Sequence, residues 1–323
     1  MENKSYNLFA LPNIKFGDII KKMSLYLAFV VIFLVFSLIN PNFITFNNIL
    51  NIIVQSSIIA VIGVGQTMVI LTNGIDLSVG SIVAFVGIAV GLMLQAGMPL
   101  GYALILAIFI SMFIGMLNGS IVAYGKVPSF IVTLGMMGIA RGGALALNSG
   151  KPVAGLQSGF ERIATTSIGP IPIFVVYCLV IYALMYVLLE RTKFGRHIYA
   201  LGGNMAAARL SGVKVKRVQA MVYVLAGIFA GLGSIMLTAR LNYATPIAGS
   251  GYELDTIAAV VIGGTSLSGG QGKIIGTLIG ALMLGMLKNG LTICNVAVYY
   301  QQIIIGVVII MAVFADRMKE KDI

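Results

Sequence analysis

Gly195–Gly212 reads GRHIYALGGNMAAARLSG and lies inside a basic stretch, 190–217, between two long apolar runs. How this segment folds decides how the rest of the chain is read. Asn204 suits a helix N-cap, since its side-chain oxygen can accept an otherwise orphaned backbone N–H. Ala206, Ala207, Ala208 and Leu210 are strong helix formers, and Gly212 suits the position just past a helix end. A short capped helix is therefore expected, with positive charge around it. The positive-inside bias accounts for cations such as Arg191, Lys193 and Lys216, but not for a capped helix. A helix on the inner face of a membrane protein implies that something docks there. The expected occupant is a separate, energy-supplying subunit. His197, the single histidine, is read as solvated.

Composition supports the membrane setting. Of 323 residues, 59% are hydrophobic and 10% charged, and the mean hydropathy is +1.02. Soluble domains carry roughly 25% charged residues. A helix needs about 20 apolar residues to cross a bilayer core, so the chain has room for about eight to ten spans and little soluble structure. The apolar runs are continuous and do not alternate, which excludes a β-barrel. The net charge of +11 collects in loops on one side, so it does not imply nucleic acid. Cys178 and Cys294 form neither a disulfide framework nor a CxxC site. With no Trp, interfacial anchoring falls to Tyr124, Tyr199, Tyr299 and Tyr300.

The apolar run 24–39 follows Lys21 and Lys22 and precedes Asn40–Pro41, with no small-residue cleavage pattern. It reads as an uncleaved first span with the N-terminus inside. Further apolar stretches fall at about 50–72, 77–96, 99–123, 128–147, 171–189, 218–239, 255–268, 273–291 and 298–315. The expectation is an all-α polytopic membrane protein, about ten transmembrane helices in one bundle with a short cytoplasmic coupling helix. Parity then places 190–217 inside. Arg191, Lys193, Arg196, Arg209, Lys214, Lys216 and Arg217 all land there, while the outer loops 40–49 and 96–99 carry no Lys or Arg. Residues 1–23 read as a cytoplasmic N-terminal segment, 24–316 as the transmembrane domain and 317–323 as a cytoplasmic tail. Glycines within the spans, such as Gly63, Gly65, Gly227 and Gly231, suit close backbone packing in lipid.

The stretch GQTMVILTNGIDLSVGS (65–81) interrupts two apolar runs with Asn73, Gly74, Asp76 and Ser78. A carboxylate with so little soluble loop around it is costly and marks either a functional or a paired group. Asp76 also suits a helix N-cap. An interrupted helix beside a polar path is the functional reading, with Gln66, Asn73, Asp76 and Ser78 as candidate path residues for a polar, uncharged solute. Gln66 and Asn73 suit a helix–helix bond equally well. Gly74–Gly80 (GIDLSVG) is loosely echoed by Gly264–Gly270 (GTSLSGG). The outer loops 149–170 and 240–254 have the length to meet an external partner or to stay solvated.

The segments NGIDLSVGSIVA (73–84), VPSFIVTLG (127–135), FGRHIYALGGNMAAARLSGV (194–213) and DTIAAVVIGGTSLSGGQG (255–272) resemble the permease subunits of bacterial ABC importers for monosaccharides, the ribose-type family. The resemblance runs over nearly the whole chain. It implies a multi-pass protein of the bacterial plasma (inner) membrane that pairs with a second permease subunit, as a homodimer. It also implies a cytosolic ABC ATPase, an extracytoplasmic sugar-binding protein and no cofactor. In such permeases the inner-loop motif forms a coupling helix seated in the ATPase. Carried over, it assigns ATPase coupling to Asn204, Ala207, Ala208, Arg209, Leu210, Ser211 and Gly212. Family members often have Glu or Pro where this chain has Met205, so the first-turn contact differs.

The chain lacks its own phosphate-binding loop. The nearest string ends at Gly272–Lys273, but Leu267 and Ile274 break the GxxxxGK[ST] pattern. An intramembrane aspartyl protease is disfavoured, since Asp76 and Asp255 lie in Gly-Ile-Asp-Leu and Glu-Leu-Asp-Thr. HExxH and GxSxG are absent. The alternative is an ion-coupled secondary transporter of a small polar solute. It would leave the inner helix without a role and has few intramembrane ionisable groups to relay ions.

Overall fold

The computed structural model describes residues 16–156 and 159–321, with side chains over 25–156 and 159–314. Residues 1–15 of the expected N-terminal segment lie outside the described residues. Chain order runs through α1 (Phe16–Ile39), a 3-10 turn (Pro41–Ile44), α2 (Phe46–Leu71), α3 (Val79–Gln95), α4 (Leu100–Gly125) and α5 (Ser129–Leu147). The outer excursion holds α6 (Arg162–Thr165) and a two-residue hairpin, β1 (Ser167–Ile168) with β2 (Ile171–Pro172). There follow α7 (Ile173–Arg191), α8 (Lys193–Gly203), α9 (Met205–Leu210), α10 (Val215–Leu241), α11 (Tyr252–Ile262), α12 (Ile274–Ile293) and α13 (Val298–Lys321). The tail expected from 317 is thus helical as far as Lys321.

Every apolar stretch of the sequence carries a helix. Among the described residues, α2, α4, α5, α7, α10 and α12 are long and apolar enough to cross a membrane on their own. Shorter apolar helices cover Leu25–Ile39, Val79–Gln95 and Val298–Phe314. The stretch 255–268 differs from a full span. It holds the 11-residue α11 and then a turn, and at 1.5 Å per residue α11 rises only about 16 Å, roughly half a bilayer core.

The outside of the bundle is apolar, with Leu38, Leu184 and Phe314 at 85%, 64% and 65% exposure. A soluble protein does not present such a surface, and lipid satisfies it. Inside, packing and hydrogen bonds hold the helices, because lipid tails remove the hydrophobic drive between them. On α4 and α10, Gly115 and Gly227 bring the two backbones together. A Cβ on Gly227 would strike the Ser111 carbonyl, and one on Gly115 the Tyr223 carbonyl. Buried hydroxyls join other pairs: Thr67 Oγ1 lies 2.7 Å from Thr277 Oγ1, Ser234 donates to the Val83 carbonyl at 2.6 Å, and Tyr182 donates to the Ala60 carbonyl at 3.0 Å. A separate cluster of Phe36, Phe43, Ile52, Met283, Met286 and Leu291 fastens α1 and the 3-10 turn to α2 and α12.

Candidate functional site

Two features interrupt the bundle, and the inner face connects them. The first is the break between α2 and α3. Asn73 takes a left-handed conformation (φ 59°). The Asn73 and Gly74 N–H groups then bond back to the carbonyls of Ile70 (2.8 Å) and Val69 (3.0 Å). This closes the end of α2 as a Schellman motif, a position that Asn tolerates better than other side chains. The chain next runs without regular secondary structure to Ser78. Asp76 does not cap α3 as expected from sequence. Ser78 is the N-cap residue, and Asp76 Oδ1 accepts from both the Ser78 N–H (2.8 Å) and Ser78 Oγ–H (2.6 Å). The carboxylate therefore shapes a local turn two residues short of the helix.

That turn is held from several sides. Asn118 of α4 donates to Ser78 Oγ at 3.0 Å, Ser129 accepts from the Ile75 N–H at 3.1 Å, and Thr133 donates to the Ile75 carbonyl at 3.1 Å. Of the four candidate path residues, Gln66, Asp76 and Ser78 are buried within this one chain and Asn73 is exposed. The Gln66 side-chain amide has no hydrogen-bond partner among the described residues.

The second break flanks α11. After α10 the chain turns inward. A bridge between Val153 and Ala244 ties the outer loops 149–170 and 240–254 together. Arg141 of α5 donates to the carbonyls of Pro246 (2.6 Å) and Ala248 (2.9 Å), pinning the loop. Gly249 and Glu253 then lie against Gly80 in the first turn of α3. Asp255 of α11 is ion-paired with Lys288 of α12. Beside them, Arg240, Tyr252, Gln55 and Ser56 line a cavity of about 80 Å³. Arg141 and Lys288 were missed in the sequence, although each is a cation inside an otherwise apolar run, the signature of a paired intramembrane group.

The inner face joins both breaks. The sequence reading took 190–203 as part of a loop, but α7 runs on to Arg191 and α8 fills 193–203. Thr192 accepts from the Gly195 N–H at 3.2 Å as its cap, and Gly195, Ile198 and Leu201 face inward on one side. Gly202 rests on the Leu71 carbonyl at the end of α2 and on the Gly270 N–H. Those two groups bond to each other at 2.9 Å. Tyr199 donates its hydroxyl to the Gly272 carbonyl at 3.0 Å. Burial, with Glu190 beside it, pushes this phenol up to about 12, so it stays a donor at neutral pH. Gly269 in turn lies against Asn73, so the segment 264–270 packs at the end of α2, just before the segment 74–80 that it echoes.

From α8 projects α9. Asn204 Oδ1 accepts from the Ala207 N–H at 2.9 Å. At the other end Gly212 is left-handed (φ 83°), and Gly212 and Val213 bond back to the Arg209 (3.0 Å) and Ala208 (3.1 Å) carbonyls. Both caps stand where the sequence put them. Only Ala208 of α9 is buried, and Leu210 is 90% exposed. α9 is thus a short helix held at both ends, with a bare leucine at its tip.

Residues 48–313 match the family described as branched-chain amino acid transport system / permease component. The ribose import permease protein of Bacillus subtilis is 45% identical over 95% of this chain and 96% of its own length. The ribose import permease protein of Escherichia coli is 44% identical over 91% and 93%, and the D-allose transport system permease protein of the same species 38% over 99% and 96%. No solved structure matches the chain.

Proposed function

Because this chain belongs to the permease family of ribose-type ABC sugar importers, we propose that, with about ten membrane helices of its own, it forms half of a sugar translocation path driven by a cytosolic ATPase. It is a multi-pass membrane protein and a permease subunit of a sugar importer. The finer reading is mechanical. The ATPase grips α9 through Asn204, Ala207, Ala208, Arg209, Leu210, Ser211 and Gly212. Closure on ATP pushes α9, α8 passes the push to the paired turns at 71–74 and 263–273, and the helices beyond them tilt.

The observation that carries this reading is the seating of α8 on both breaks, with the Leu71–Gly270 hydrogen bond beneath Gly202. A displacement of α9 that preserves the α8 contacts moves both turns together. Asp76 and Ser78 hold the α2–α3 turn in shape beside the path, and Gln66 and Asn73 offer it polar groups. Ribose is the proposed cargo, from the relatives' names. An extracytoplasmic binding protein delivers it to the outer loops, and a second copy of the chain completes the path.

The test is sugar uptake by the whole system with Arg209→Ala and Leu210→Ala. Uptake should fall while the permease remains in the membrane. Full uptake with a normally assembled ATPase would overturn the coupling role.

A further inference from the structure

We infer that the hollow lined by Tyr124, Arg209, Lys214, Val215, Lys216 and Arg217, about 410 Å³ in volume, binds the headgroup of an anionic phospholipid of the cytoplasmic leaflet. The hollow shares Arg209 with the coupling surface of α9, and the inference is read out by lipid retention.

Charge is the first argument. Four cations surround the hollow, and the chain has no Asp or Glu between Arg191 and Arg217. None of the four is in an ion pair among the described residues. The first turn of α10, a 27-residue helix, adds the positive end of its dipole, with no side-chain cap on Lys214. A cluster of this kind in water would only repel itself. Beside a phosphate diester each member gains.

Position is the second. The hollow sits where α4 ends at Gly125 and α10 begins at Val215. Both are spanning helices packed backbone to backbone, so their paired ends mark the level at which lipid phosphates lie. Lys216 Nζ stands 5.7 Å from the centroid of the Tyr124 ring, holding cation and aromatic at one height. Tyr124 itself ends an exposed face of α4 that also carries Phe113, Leu117 and Ile121, at spacings of four, four and three residues. An acyl chain lying along that face carries its headgroup into the four cations. This continuity favours a lipid over free phosphate, which needs no apolar approach, and over an acidic protein surface, which would not follow α4 into the bilayer.

The experiment is native mass spectrometry of the full-length protein in mild detergent, titrated with phosphatidylglycerol against phosphatidylcholine. The wild type should retain phosphatidylglycerol about tenfold better, consistent with several cations near an anionic surface. K214Q/K216Q/R217Q should abolish the preference, while R191Q/K193Q, which removes two cations of the same stretch outside the hollow, should keep it. Equal retention of the two lipids by the wild type would overturn the proposal and needs no variant. Equal loss in both variants would show bulk charge and not a site. Full displacement by millimolar inorganic phosphate would make it a free-anion site, and displacement by the bound ATPase would make it a protein contact. Either result overturns the lipid reading.

Discussion

Asn204→Ala tests how much of the inner-face device rests on one hydrogen bond. α9 has six residues, far below the length at which a helix holds itself together in water. Its supports are the Asn204 cap at 2.9 Å, the turn at Gly212 and the burial of Ala208. Losing an N-cap costs about 1 kcal/mol, which lowers the ratio of formed to frayed helix about fivefold. The cap lies on the exposed inner face, so the bundle itself should keep its thermal stability. Hydrogen exchange over 205–211 should speed up by about the same fivefold factor, and ATP-dependent sugar uptake in proteoliposomes should fall with it. Asn204→Ser, which keeps a capping oxygen, should restore both. Unchanged exchange and uptake in Asn204→Ala, or a Ser variant as impaired as the Ala variant, would refute the reasoning.

Gly202→Ala should be more damaging than its size suggests. The added Cβ meets the Leu71 carbonyl and the Gly270 N–H, backbone atoms that cannot swing aside, and overpacking of this kind costs about 1–3 kcal/mol. Thermal unfolding in detergent should register that loss, and proteolysis should show α8 loosened. Asp76→Ala removes the acceptor of two Ser78 donors and should cost about 1–3 kcal/mol. Asp76→Asn keeps Oδ1 and should stay nearer wild type in the same melt. Asp255→Asn should destabilise by about 1–3 kcal/mol, below the cost for a wholly buried pair because Lys288 remains 35% exposed. The double change Asp255→Leu with Lys288→Met should recover most of that stability.

Much of this protein could be read from residue order. Continuous apolar runs and the side on which cations fall located the helices, since lipid imposes those patterns on every spanning segment. The α9 caps were legible because Asn at the start and Gly past the end satisfy local backbone groups. Contacts between distant segments were not legible. The amphipathic spacing of Gly195, Ile198 and Leu201 was visible, but the basic residues between them drew the reading toward a loop. Asp76 was assigned as a cap because Asp favours that place. The choice of Ser78 came from how Asn118, Ser129 and Thr133 hold the turn, and those residues lie on other helices. The stretch 255–268 read as a span because Gly263 and Gly264 do not lower its apolarity, yet the helix stops just before them.

The hydrogen bond between Leu71 and Gly270 makes two distant pieces of sequence a single mechanical part. Grafting the α8–α9 segment from another permease should fail unless residues 71–74 and 263–273 travel with it. For the same reason the stretch 263–273 should not accept an inserted residue. Engineers who wish to rewire such a transporter to a foreign motor would have to exchange all three segments as one cassette.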